Sequence, residues 1–187
     1  NPSLVLQFYN DRRKQALNAV PNQAHLILAA LEKHFEVVVI TQNVDNLHEK
    51  AGSTKVIHLH GELFKCRSSI DESLVYDVKG WEIKLGDCCE KGGQLRPHIV
   101  WFGEMVPMMD VAVAETMEAD IFLVVGTSLQ VYPAAGLVEY VKEGAPIYIV
   151  DPKMPDISFG KNVRIIQEKA SVGMKLVEED LVKKFNG

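Results

Sequence analysis

The stretch Val37-Val38-Val39-Ile40-Thr41-Gln42-Asn43-Val44-Asp45-Asn46 decides the fold. Its first four residues form an unbroken apolar run, as expected of a parallel strand buried on both faces. A short polar tail follows. Working outward, Val56 to His60, Ile121 to Val125, Ile147 to Val150 and Val163 to Ile166 read as further strands. Helical patterns fill the intervals. Leu4 to Gln15 is one, after Pro2. Asn22 serves as N-cap of a second, with Leu26, Ala30 and His34 on one stripe. Val111–Glu118, Ala134–Lys142 and about Val172 to Phe185 are the others.

Strand alternating with helix predicts a doubly wound α/β domain around a Rossmann-like parallel sheet. Residues 66 to 98 break the rhythm: they are rich in glycine, hold every cysteine and lack a long apolar run. This stretch is expected to be a small inserted module at the sheet edge.

The 187 residues are 47% hydrophobic, enough for one domain with a substantial core, and the charged fraction of 24% argues against disorder. Net charge is −5, and apart from Arg12-Arg13-Lys14 the cations are scattered, so no basic field exists to hold nucleic acid or an anionic membrane. No apolar run reaches the length of a membrane span, and no secretory signal pattern is present. The three cysteines, Cys66, Cys88 and Cys89, are too few and too awkwardly spaced for a disulfide framework, which suggests a reducing, cytoplasmic setting.

Open α/β sheets bind ligands beyond the carboxyl ends of their strands. Three of the tails here are polar: Thr41 to Asn46, Gly126-Thr127-Ser128, and Asp151. Asp151 could accept from a ribose diol, or simply open the turn at Pro152. There is no G-x-G-x-x-G and no Walker loop. His58 and His60 flank Leu59 and are expected to face one side of a strand. His58 reads as a hydrogen-bonded edge histidine. His60 precedes Gly61 at the strand end, where an imidazole can take a proton from a hydroxyl.

Together these residues resemble a known family. Thr41 to His48, then His60-Gly61-Glu62-Leu63, then Arg96 to Glu104, then Gly126 to Ala134 are similar to successive sirtuin motifs, in the family's order. The similarity runs the whole chain, 1–187, and is nearest to the bacterial desuccinylase/deacetylase class (class III). The resemblance implies an NAD-dependent protein-lysine deacylase. Gln42, Asn43 and Asp45 would line the nicotinamide end of the NAD site. Gly126, Thr127 and Ser128 would approach the adenosine side, with Asp151 on the ribose and Ala170 near the adenine. His60 would be the general base. Val100, Phe102 and Gly103 would pair with an acyl-lysine protein or peptide by strand addition. The acyl oxygen would attack the ribose carbon that carries nicotinamide, giving free lysine, nicotinamide and O-acyl-ADP-ribose.

Tyr9 and Arg12 lie three apart on the first helix. By spacing alone they are an ordinary exposed pair. By resemblance they match the Tyr-x-x-Arg that favours malonyl- and succinyl-lysine, where Arg offers a planar fork to a carboxylate.

The chain departs from the family in two places. Many sirtuins hold a structural zinc with two C-x-x-C pairs. Here Ser68 and Asp71 stand near the first pair's positions and Lys91 where the last cysteine belongs, so no zinc is expected. The family's Gly-Ala-Gly loop and the segment after it are absent from the sequence, so the chain as given is expected to bind NAD poorly. Two alternatives stand beside the deacylase: an inactive module that binds NAD or ADP-ribose, and a protein ADP-ribosyltransferase.

Overall fold

The computed structural model describes residues 1–127, 131–153 and 162–185. Helix α1 spans Pro2–Leu17. The Asn1 side chain accepts from Leu4 N at 3.3 Å, and Pro2 takes the first turn, where its missing N–H costs nothing. Helix α2 spans Gln23–Leu31 and opens on a capping box: Asn22 accepts from the His25 backbone while the His25 ring accepts from Asn22 N.

The buried stripe of α2 differs from the expected one. Ala24, Ile27 and Leu31 face inward, whereas Leu26 is 45% exposed. The small Ala24 lets α2 approach helix α5 (Ala170–Phe185), whose Met174, Val177 and Leu181 share its core.

Strands β1 (Val39–Thr41) and β2 (Val56–His58) pair in parallel around helix α3 (Leu47–Ala51). Strand β2 is two residues shorter than expected, so His60 lies beyond it. Strands β3 (Gly61–Ser68), β4 (Val75–Asp77) and β5 (Leu95–Ile99) form an antiparallel sheet in the order β4-β3-β5. Its pairing begins at Gly61, opposite Ile99. Leu6 of α1 joins Cys66 and Ile83 in the core of this module.

Helix α4 (Met109–Glu118) leads into a parallel sheet of β6 (Phe122–Val125), β7 (Ile147–Val150) and β8 (Val163–Ile166). Alternate side chains of β7 face opposite layers. Tyr148 and Val150 pack toward α2 and α5, and Ile149 toward Ala135 on the other face. Helices thus cover both faces, as a doubly wound sheet requires. A cluster of Ile57, Leu59, Ala112, Ala134 and Leu137, with Ile40 and Phe122, joins the two parallel sheets.

Ala134–Tyr140 is a 3-10 helix, shorter and tighter than the helix expected over Ala134–Lys142. Its sequence includes Gly136 and Val138, both poor α formers. It opens with an i to i+3 bond from Gly136 N to Pro133 O at 3.0 Å.

Candidate active site

The registers set the rim of the site. Val125, Val150 and Ile166 stand side by side at the carboxyl ends of β6, β7 and β8. Gly126, Asp151 and the start of α5 at Ala170 therefore follow along one edge. Gly126 holds φ +64°, a conformation that glycine tolerates without strain, while its N–H donates to Val150 O at 2.9 Å. Thr127 follows it, and Ser128 lies outside the described residues. Asp151 does open the turn at Pro152: its Oδ1 accepts from Lys153 N at 2.7 Å. That bond uses one carboxylate oxygen, and a carboxylate has a second to offer a ribose hydroxyl.

The second part of the site lies at the ends of β1 and β2. Thr41 is paired with His58, so Gln42 and Asn43 leave the sheet beside the segment that carries His60. The Thr41 hydroxyl accepts from Asn43 N at 3.1 Å, and Asp45 Oδ1 accepts from Leu47 N at 3.0 Å, which fixes the loop against the start of α3. The Asn43 residue is exposed and Asp45 half-buried.

His60 is held from two directions. Its ring Nδ1 lies 3.2 Å from Gln42 O, and its carbonyl accepts from Val100 N at 3.0 Å. A carbonyl only accepts, so in the neutral ring Nδ1 carries the proton and Nε2 the lone pair. Gly61 makes this placement possible. It holds φ +84°, and a Cβ there would sit 2.0 Å from His98 O. Only glycine lets the chain turn from His60 into β3 at that distance.

His58 behaves as the hydrogen-bonded histidine expected from sequence. Its Nδ1 lies 3.1 Å from Asn43 O and its Nε2 2.7 Å from Glu49 Oε1. It thereby ties α3 to the Gln42-Asn43 loop. The His25 and His48 rings lie 4.7 Å apart, tilted 59° to each other. Burial pushes His48 below the ordinary imidazole value; the His25 and His58 charges add to this and Glu49 and Asp45 oppose it. Burial does the same to His25, against Asp45, and to His98, where Arg67 adds to the shift.

A histidine depressed in the fold takes up its proton more readily when unfolded. Its stability contribution is therefore complete above the unfolded pKa of about 6.5 and is lost as pH falls below it. Thermal unfolding is expected at a Tm lower by roughly 2–4 °C at pH 5.5 than at pH 7.5. His48→Gln should flatten that slope, and an unchanged slope would remove the histidine pair as its cause.

On α1 the two arginines separate. Arg13 is fully buried. It donates to Leu63 O at 2.6 Å, to Trp81 O at 2.5 Å and to Asn10 Oδ1 at 2.7 Å. Asn10 in turn accepts from Ile83 N and donates to Ile83 O, both at 2.9 Å. Lys50 of α3 caps the other end of the helix, donating to Ala16 O at 3.0 Å and Ala19 O at 3.1 Å. With Asn10 and Arg13 fixed inward, Tyr9 and Arg12 sit about 100° round the helix. Arg12 is exposed, its guanidinium 4.9 Å from the centre of the Phe8 ring.

The sequence reading passed over Trp101. Its indole N–H donates to Tyr9 Oη at 2.9 Å across 92 residues. The signal available was an aromatic residue between two expected peptide-contact positions. Of those positions, Phe102 and Gly103 are exposed and Val100 is half-buried. Phe102 is uncovered over its entire surface, an unusual state for a phenyl ring.

The module's donor set does not fit a zinc ion. Lys91 Nζ forms an ion pair with Asp71 at 2.6 Å, Cys89 Sγ lies 3.2 Å from Ser68 Oγ, Tyr76 bonds Glu90, and Cys88 points to solvent. The positions where the family would place opposing ligands bond directly to each other. Among the described residues no three His, Cys, Asp or Glu side chains are placed to hold a metal.

Comparison with known proteins returns one family model, the Sir2 family, over residues 1–133. An NAD-dependent protein deacylase of Bacteroides thetaiotaomicron is 50% identical over 187 residues, covering 97% of this chain and 80% of the relative. One of Helicobacter pylori strain 26695 is 49% identical, covering 94% and 76%. Among solved structures, a Sir2 homologue in complex with NAD aligns at TM-score 0.86 with 36% identity, over 99% of this chain and 74% of the other. A Sir2 bound to acetylated peptide aligns at 0.71 with 32% identity, over 91% and 73%.

Proposed function

The chain belongs to the Sir2 family, and we propose that it removes acyl groups, acidic ones included, from protein lysines at the expense of NAD, with His60 as general base. The observation that carries the reading is the bond from His60 Nδ1 to Gln42 O, which leaves Nε2 as the basic nitrogen at the strand ends.

The residues present fit NAD. Gln42, Asn43 and Asp45 would hold its nicotinamide end. Gly126, Thr127, Asp151 and Ala170, with Ser128, would hold the adenosine side. The positive φ of Gly126 and the second oxygen of Asp151 suit a close backbone approach and a ribose diol. NAD supplies a ribose carbon whose bond to nicotinamide breaks as the acyl oxygen attacks. His60 Nε2 would take a proton from the ribose diol, freeing its oxygen to accept the acyl group, and one water completes the balance by releasing lysine as the free amine. The Asp45 carboxylate orients the nicotinamide amide.

Val100, Phe102 and Gly103 receive the acyl-lysine peptide as an added strand. Exposed Phe102 supplies an apolar cover for the lysine, and the Sir2 bound to acetylated peptide supports a peptide substrate. Tyr9 and Arg12 receive the distal carboxylate of a succinyl or malonyl group. The free state of Arg12, set against the buried Arg13, supports that choice. The three unpaired cysteines suit a cytoplasmic enzyme.

Mass spectrometry of products from the intact protein tests the function. Acetyl- and succinyl-lysine peptides should give free lysine, nicotinamide and O-acyl-ADP-ribose in equal amounts. ADP-ribose attached to the protein substrate would favour the transferase instead, and NAD binding without either product would favour the inactive module.

A further inference from the structure

We propose that Trp101 is a positioning residue which commits the Tyr9 hydroxyl to donating, so that the acyl end of the site offers donors alone. The inference rests on the acidic-acyl reading above.

An indole N–H can only donate. At 2.9 Å it occupies the Tyr9 oxygen as acceptor, and the phenol's own hydrogen must point elsewhere. Among the described residues, no hydrogen bond takes that hydrogen. The indole cannot easily leave. The Arg96 guanidinium lies over its ring, 3.5 Å from the centroid. Arg96 is itself anchored on Glu104, at 2.9 and 3.3 Å. Glu104 also accepts from Trp101 N at 2.9 Å and from Arg67 at 3.3 Å. Phe8 meets the Tyr9 ring edge-on at 5.1 Å.

A free phenol can either donate or accept. With the indole on its oxygen, Tyr9 turns its hydrogen outward, and Arg12 has only donors to give. A carboxylate has only acceptors, so it meets both. A terminal ammonium would face donors with no acceptor. The relay from indole N–H through phenol O–H also polarises the outer bond and strengthens it. Trp101 thus acts on selectivity through Tyr9, without touching the acyl group.

The test is a double-mutant cycle in the intact protein, with Trp101→Phe, Tyr9→Phe and the pair. Succinyl and acetyl peptides of one sequence are compared. Trp101→Phe should lower kcat/KM on the succinyl peptide by roughly five- to tenfold, about the worth of one ordinary hydrogen bond. The loss should sit mainly in KM, because a contact to the distal carboxylate is the same in ground and transition states. The acetyl peptide should lose less than about twofold, which also reports folding.

In the Tyr9→Phe background the second substitution should leave the succinyl-to-acetyl ratio unchanged. Losses that multiply would overturn the proposal, as would equal losses on both peptides from Trp101→Phe. If Tyr9→Phe and Arg12→Met each leave the ratio untouched, the acidic-acyl reading fails, and this inference fails with it.

Discussion

His60→Ala is expected to reduce deacylation by roughly 10²- to 10⁴-fold, the contribution of a positioned general base, while NAD affinity changes by less than about threefold. The asymmetry follows from how the ring is held. Its Nδ1 bond runs to the backbone of Gln42, and its carbonyl is bonded to Val100 N. The second of these is a main-chain bond that alanine retains. Gly126 and Asp151, proposed for the adenosine side, follow directly on strands β6 and β7, away from the β1–β2 pair that leads to the imidazole. What alanine removes is one basic nitrogen, and in the proposed mechanism that nitrogen acts only after nicotinamide has left. Nicotinamide release can therefore persist in the variant while acyl-ADP-ribose formation stops. Product analysis under single turnover, beside a direct measurement of NAD binding, checks both halves. Near-normal acyl-ADP-ribose formation by the variant would dismiss His60 as the base.

Much of this geometry was legible because it depends on local pattern. The apolar run ending at Ile40 and the polar tail after it form a strand end and a loop wherever they occur, and the register then brings Gln42 beside His60. Ile147 to Val150 read as a strand, and its alternation emerged as two opposite cores. Long-range satisfaction was hidden. Nothing in Arg12-Arg13 says that Arg13 will be buried, because its carbonyl partners on Leu63 and Trp81 lie 50 and 68 residues away. The stripe of α2 was misphased because α5, nearly 150 residues on, selects which side faces inward. Trp101 was missed for the same reason, since its partner is on α1. The module could be read only negatively, as broken cysteine pairs. That Asp71 and Lys91 would bond each other required their distance.

The separation of Arg12 from Arg13 sets the last expected result. Arg12→Met should lower desuccinylation by roughly ten- to a hundredfold, and deacetylation much less. A succinyl group that enters an acyl site must give up water around its carboxylate, and without a partner that is expensive. A charge-assisted hydrogen bond is worth about 1.5–3 kcal/mol, and about 1.4 kcal/mol is one factor of ten in rate. Methionine keeps the length and the helix propensity of arginine but not its donors, so the loss measures the charge contact. Arg13 could not report the same thing. Its guanidinium donates to three oxygens, and its removal would loosen α1 from β3 on any substrate. Arg12 makes no ion pair among the described residues, and its guanidinium lies against the Phe8 ring. Its loss should therefore leave the fold intact. The measurement is kcat/KM on matched acetyl and succinyl peptides with the intact protein. Equal losses on both would mean that Arg12 supports the helix rather than reading the acyl group. No loss on either would leave Arg12 an ordinary exposed arginine, because a carboxylate that never meets the guanidinium cannot register its removal.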